Sequence, residues 1–254
     1  MNRLLTFLCL LSVLFSGCAC NCNAQLLECP SVDKYDYVIH HKGYTLSFNQ
    51  VTHASDWVAY ELTKEELDGN WPRSNDFRSD PDIKGYQAEN SDYKGSGWHR
   101  GHLAPAGDMK WDSVAMSESF YYTNICPQHQ DLNQGIWQSL ENNVRKWAKK
   151  YGRIYVCCGP IYTTNQNGNI GKSCVMVPDY YFKALLIPKD QSFSAIAFMM
   201  QNGPGNQGLR SCACTVDELE RVLKRDLFCT LDNSMEKLVE ATIVWDDWGL
   251  AEPK

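Results

Sequence analysis

A histidine with a positive neighbour and a run of small residues behind it makes up the stretch richest in chemistry, Trp98-His99-Arg100-Gly101-His102-Leu103-Ala104-Pro105-Ala106-Gly107-Asp108-Met109. Imidazole titrates near neutral pH, so His102 has the chemistry of a general base without needing a large pKa shift. Taken alone the signal is weak, because most histidines are surface residues or hydrogen-bonded structural ones. Two further segments follow it: Asn124-Ile125-Cys126-Pro127-Gln128, and Leu132-Asn133-Gln134-Gly135-Ile136-Trp137 leading into Leu140-Glu141. Asn133, Trp137 and Glu141 are successive four-residue steps, which lie along one side of a helix. An amide oxygen and a carboxylate at the edge of a buried helix face need a partner. A hard cation such as Mg²⁺, which keeps several waters and takes few protein ligands, is one candidate. Simpler roles exist for each residue: Asn133 as a helix cap, Glu141 paired with Arg145 at i,i+4, and Arg73, Arg78 and Arg100 as solvated or ion-paired residues.

Those residues need a scaffold, and the pattern supplies one. Ile136, Trp137, Leu140, Val144, Trp147 and Tyr151 recur at three- and four-residue steps, so a helix is expected from about Leu132 to Tyr151, with Gly152 as its stop. Strands are expected at Tyr44–Phe48, Trp57–Leu62, Ile154–Cys158, Cys174–Val177, Tyr181–Ile187 and Phe193–Met200. Residues 63–98 are polar and rich in turn signals. Thr215-Val216-Asp217-Glu218 is a capping box opening a second helix through Leu227. The two Gly/Asn-rich loops, Tyr162–Lys172 and Asn202–Gln207, are too short to separate domains, so the chain reads as one α+β domain from about residue 30 to its end. The basic run Arg145, Lys146, Lys149, Lys150 and Arg153 suits either a phosphate backbone or a solvated helix face, and Trp137 and Trp147 match the apolar stripe.

The three segments together resemble the DNA/RNA non-specific endonuclease family, the endonuclease G-like His-Me finger (ββα-metal) nucleases. The family pattern runs D-R-G-H-L-A-P-A, N-x-x-P-Q, then L-N-Q-x-x-W-x-x-L-E, and the segments occur here in that order. Weaker agreement extends to Pro72-Arg73-Ser74-Asn75-Asp76-Phe77-Arg78, to Val175-Met176-Val177-Pro178 and to Phe182-Lys183. The resemblance covers most of residues 40–200. It implies a single domain whose central antiparallel sheet is flanked by helices, with a ββα-metal active site. Carried over by position, it makes His102 the general base and Asn133 the direct ligand of a Mg²⁺ ion, for which Mn²⁺ substitutes. Glu141 reaches that ion through water, Asn124 positions the His102 region, Arg73 contacts the phosphate, and Arg100 supports it. One position departs from the pattern: the family's Asp before Arg-Gly-His is His99 here, in the supporting shell of the site. That change bears on the metal's water structure and the pH optimum, and a disabled, binding-only protein on the same fold is the alternative it raises.

The implied substrates are DNA and RNA, and the residue types suit phosphodiester hydrolysis independently. A phosphorane gathers negative charge that a guanidinium and a divalent cation stabilise, and a hydrated ion can serve the leaving 3′-oxygen. Across 254 residues the 24 basic and 30 acidic side chains give a net charge of −6, which argues against coating nucleic acid by bulk charge but leaves room for a local basic cleft. Hydrophobic residues make up 44% of the chain, enough for a core and against wholesale disorder.

Residues 1–24 read as an export signal: Arg3, an apolar run from Leu4 to Phe15 too short to span a bilayer, and small residues near the cut. Two cleavage points compete. Leu14-Phe15-Ser16-Gly17-Cys18 resembles a lipobox that leaves Cys18 lipidated, the only membrane tie implied, whereas cleavage after Ala24 frees a chain of residues 25–254. Periplasmic, extracellular and outer-membrane lipoprotein destinations all fit; the oligomeric state is open. Export favours disulfides among the eight cysteines beyond Ala24, while the C-x-C spacing of Cys212 and Cys214 is a weak zinc signal. Vicinal Cys157 and Cys158 should face opposite sides of a strand. Export and tryptophan content also admit a carbohydrate-binding lipoprotein, a reading that leaves the three linked motifs unexplained.

Overall fold

The computed structural model describes residues 26–164, 166–205 and 208–250. The expected export signal and Cys18 lie outside them. Eleven strands are described: β1 (Tyr37–His40), β2 (Thr45–Asn49), β3 (Ala54–Thr63), β4 (His99–His102), β5 (Ile125–Gln128), β6 (Arg153–Ile161), β7 (Asn169–Ile170), β8 (Val175–Met176), β9 (Tyr180–Lys189), β10 (Ser192–Gln201) and β11 (Ala213–Cys214). The α-helices are α1 (Asn90–Tyr93), α2 (Ser113–Glu118), α3 (Trp137–Tyr151), α4 (Val216–Leu223), α5 (Asn233–Glu240) and α6 (Trp245–Trp248).

Seven strands form one antiparallel sheet in the order β1-β2-β3-β6-β9-β10-β11. Both faces are covered, which is why its central strands read as nearly continuous apolar runs. Val58, Tyr60, Val156, Cys158, Leu185 and Phe198 point into one core, where Trp137, Leu140, Val144 and Trp147 of α3 pack. Trp57, Ala59, Cys157, Phe182 and Ala197 point into the other, closed by Val216 and Leu219 of α4 and Val239 of α5. Alternation along a strand thus separates Cys157 from Cys158, as their adjacency predicts.

The fold agrees with the expected α+β class and central antiparallel sheet, with differences at the element ends. The long helix does not begin as α-helix: Leu132–Ile136 is a wider π-type turn, with Gly135 at φ −107°, ψ −110°, and regular helix starts at Trp137. It ends at Gly152, whose φ of 87° is a conformation that favours glycine. The Thr215 capping box is present, with Glu218 N donating to Thr215 Oγ1 and Thr215 N to Glu218 Oε2. Its helix stops at Leu223 and not Leu227, because Lys224 turns left-handed at φ 53°.

The disulfide expectation is corrected. All eight described cysteines are free thiols, and most are enclosed among apolar side chains on different faces of the sheet. Burial pushes the thiols of Cys29, Cys126 and Cys214 up to about 12. No described helix is long and apolar enough to cross a membrane.

Candidate active site

Outside the large sheet, β4 and β5 form an antiparallel pair, and the chain leaves β5 through the π-type turn into α3. This β-β-α unit gathers the chemistry. His102 ends β4 opposite Ile125, and β4 itself pairs closely enough that Gly101 has no room for a side chain. A Cβ there would sit 2.1 Å from Gln128 Oε1. Gln128 is buried, and its amide nitrogen and oxygen have no hydrogen-bond partner.

Asn124, fully buried, holds the chain just past His102 by three side-chain bonds. Its Oδ1 accepts from Ala104 N at 2.8 Å, and its Nδ2 donates to the carbonyls of Ala104 and Ser119, both at 2.8 Å. From the other side Trp137 Nε1 donates to the His102 carbonyl at 3.3 Å, and the buried Lys183 Nζ donates to the Leu103 carbonyl at 3.4 Å. The His102 ring is packed between Phe77 and Phe120, with centroids 5.7 and 4.9 Å away, and its Nε2 has no hydrogen-bond partner. Burial, with the charges of Arg73 and Arg100, pushes its pKa down to about 3, so the ring is neutral at pH 7.

His102 lines a cleft of about 350 Å³ together with Arg73, Arg100, Asn133, Glu141 and Arg145. Arg73, Arg100, Asn133 and His99 also line an adjoining groove of about 640 Å³, whose wall includes Phe77, Tyr93, Lys94 and Trp98. Arg73 comes from the polar segment before β4; its Nε donates to Asn75 Oδ1 at 2.9 Å and its guanidinium lies over the Phe120 ring at 4.8 Å. Arg100 donates to Asn90 Oδ1 at 2.7 Å and stacks over Phe77 at 4.2 Å. Both are exposed on the cleft side. Arg78, by contrast, is tied to Asp76 and Ser117 and does not line the cleft.

Asn133 lies inside the π-type turn, so it is not the helix cap. Its Nδ2 makes a long contact of 3.4 Å with His99 Nδ1, and its Oδ1 accepts no hydrogen bond from the described residues. The departure from the family pattern at His99 therefore touches the amide that faces the cleft. Glu141, on α3, also departs from the simplest expectation: Arg145 does not pair with it. Arg145 instead donates to Asp108 Oδ1 at 2.6 Å, and Tyr60 OH donates to Asp108 Oδ2 at 2.9 Å. Burial pushes the Glu141 carboxyl up to about 7, partly offset by the charge of Lys183.

Sequence reasoning passed over Lys183, Asp108 and Tyr60. Lys183 and Asp108 stood within matching segments without a role, and Tyr60 lies in a strand whose pattern gives only burial. Lys183 and Asp108 set the charge around Glu141, and the neutral Tyr60 hydroxyl completes this floor by donating to Asp108.

The donor set suits a hydrated hard cation. One amide oxygen and one carboxylate face a cleft with room for several waters, each occupying about 30 Å³. Among the described residues the cleft holds no cluster of three His, Cys, Asp or Glu ligands of the kind zinc takes.

A family model described as DNA/RNA non-specific endonuclease matches residues 30–234. The chain is 35% identical over 180 residues to human "Endonuclease G, mitochondrial", covering 66% of this chain and 61% of that protein. It is 37% identical over 194 residues to "Nuclease EXOG, mitochondrial" of Danio rerio, covering 70% and 57% respectively. "Nuclease 1, mitochondrial" of Schizosaccharomyces pombe is 32% identical over 230 residues, covering 82% of this chain and 71% of that one. The chain thus spans about three fifths of the length of the first of these relatives. Among solved structures, a chain of the crystal structure of the EndoG/EndoGI complex superposes with a TM-score of 0.74 at 28% identity, covering 82% of this chain and 90% of that one.

Proposed function

Because the chain belongs to the DNA/RNA non-specific endonuclease family, we propose that it is a Mg²⁺-dependent endonuclease hydrolysing DNA and RNA with little base preference. The observation that carries this reading is the convergence, in one cleft, of an enclosed neutral imidazole, two exposed guanidiniums and an amide–carboxylate pair.

His102 takes the proton of the attacking water. Neutrality suits a base, and its proton affinity, low in the free protein through burial and then the charges of Arg73 and Arg100, rises when the negative phosphate compensates those two guanidiniums. The new P–O bond forms opposite the bond to the leaving 3′-oxygen, and Arg73 stabilises the charge gathered on the phosphoryl oxygens. Arg100 draws the backbone toward the same point. Asn133 Oδ1 and, through water, Glu141 would hold the ion, which when bound would supply positive charge and an acidic hydration shell to the leaving group. His99 orients the Asn133 amide with its oxygen toward the cleft, taking the supporting place of the family's Asp. The adjoining groove, with Lys94 and Trp98 on its wall, takes the flanking strand through phosphate contacts and stacking, both blind to sequence. Export directed by residues 1–24 is proposed with it.

The test is cleavage of plasmid DNA and total RNA by the folded protein with Mg²⁺, with Mn²⁺ and with EDTA. Both substrates should be cut with either ion and neither with EDTA. A folded protein that cuts neither across pH and metals would overturn the proposal in favour of a binding-only role, and cutting of one alone would refute its breadth.

A further inference from the structure

On the far face of the large sheet from the cleft, α4 and α5 bring three carboxylates together. Asp217 and Glu220 stand one turn apart on α4, and Glu240 closes α5. One ligand oxygen from each lies within 4.8 Å of the others. Glu240 is only 2% exposed, and its Oε1 has no hydrogen-bond partner. A buried carboxylate oxygen without a donor is costly, and one aimed at two further carboxylates is costlier still.

The surroundings do not relieve this charge. Glu220 Oε1 accepts from Leu227 N at 2.6 Å, which satisfies one of its oxygens only. Asp226 and Glu236 add further negative charge at Glu240, and the carboxyl of Glu240 is pushed up to about 9, that of Glu220 to about 7. The nearby guanidiniums are engaged elsewhere. Arg221 donates to the Asp217 backbone carbonyl, and Arg225 donates to the Ser31 carbonyl and to Asp36. Among the described residues no Lys, Arg or His forms an ion pair with the three carboxylates.

We propose that Asp217, Glu220 and Glu240 form a second cation site, separate from the cleft, that takes Ca²⁺ and ties α4 to α5. All-oxygen, carboxylate-rich ligands select a hard ion, and Ca²⁺ accepts irregular carboxylate geometry that Mg²⁺ resists. Thiols and imidazoles, the ligands of softer metals, are absent from the cluster. The ion gives Glu240 the partner that the protein withholds, and it stabilises the far-face core through its two helices rather than acting on nucleic acid.

The experiment uses the full chain carrying Asn133→Ala, so that an ion in the cleft does not contribute, stripped with EDTA and desalted. Calorimetric titration with CaCl₂ at pH 7.5 should show one site, with Mg²⁺ binding more weakly, and millimolar Ca²⁺ should raise the melting temperature by about 5 °C. Adding Glu240→Gln should weaken Ca²⁺ binding at least tenfold and abolish the rise, and Asp217→Asn should do the same in part. Glu240→Gln alone should leave Mg²⁺-dependent cleavage unchanged. No Ca²⁺ heat and no thermal shift in the Asn133→Ala protein would overturn the proposal, as would an equal response in its Glu240→Gln derivative. A Glu240→Gln protein that is simply more stable, with Ca²⁺ silent in both, would mean that the cluster holds a proton and not an ion.

Discussion

Replacing Arg145 with methionine, which keeps much of the side-chain volume, exposes the floor of the site to a direct energetic test. The Asp108 side chain is fully enclosed, and among the described residues Arg145 is its ion-pair partner, at 2.6 Å. Removing one partner of such a pair leaves an uncompensated charge, at a cost of about 3–5 kcal/mol. Two features hold the cost to about 3 kcal/mol here: Tyr60 still donates at 2.9 Å, and the charge of Lys183 still acts on the carboxylate. The loss should also depend on pH, with a definite sign. Burial already raises the Asp108 carboxyl above its ordinary value, and losing Arg145 raises it further. A carboxyl whose folded pKa exceeds its unfolded one destabilises the native state as pH rises between the two. The variant should therefore fall about 3 kcal/mol below the parent at pH 8 and only about 1 kcal/mol below it at pH 5, since each pH unit of extra protonation returns about 1.4 kcal/mol. Urea unfolding of both proteins at the two pH values measures this. A deficit below about 1 kcal/mol at pH 8, or one that is the same at both pH values, would refute the buried-pair reasoning.

Other consequences follow from the same geometry. Asn124→Ala strips three buried hydrogen bonds around Ala104 and Ser119 and should cost about 3 kcal/mol in urea unfolding, with kcat falling more than KM rises. For His102 the folded pKa is depressed to about 3 from 6.5, so its contribution is complete above about pH 6.5 and lost as pH falls toward 3. Between pH 6.5 and 5 the parent should lose about 2 kcal/mol more than a His102→Gln variant; equal slopes would show that the ring is not held neutral. Asn133→Ala should raise the Mg²⁺ concentration needed for half-maximal cleavage at least tenfold, and an unchanged titration would leave Asn133 only a turn residue.

What the sequence discloses, and what it withholds, divides along physical lines. The apolar periodicity of Ile136, Leu140, Val144 and Trp147 places α3, and the β-branched and aromatic runs place the long strands, because burial repeats at those periods. β4 and β5 carry no such signal: His99-Arg100-Gly101-His102 is polar and Pro127 interrupts Ile125–Gln128, so residue periodicity does not disclose their antiparallel pairing, in which Gly101 leaves room for the Gln128 side chain. The resemblance implies one site for His102, Asn133, Glu141, Arg73 and Arg100, and all five line one cleft. The charged floor stayed hidden, since Tyr60, Asp108 and Lys183 come from three separated segments that only the fold brings together. The left-handed Lys224 that ends α4 has no sequence warning either, since nothing about lysine marks that conformation.

The most direct measurement compares cleavage of plasmid DNA and RNA by the parent and by His102→Ala in Mg²⁺, after matched circular dichroism and unfolding curves show both folded. Both substrates should be cut by the parent, and turnover should fall by several orders of magnitude in the variant, with nucleic-acid binding retained. Near-parental cleavage by folded His102→Ala would contradict the assignment of His102 as the base, because among the described residues His102 is the one imidazole that lines the cleft with Glu141, His99 facing the adjoining groove from the other side of Asn133.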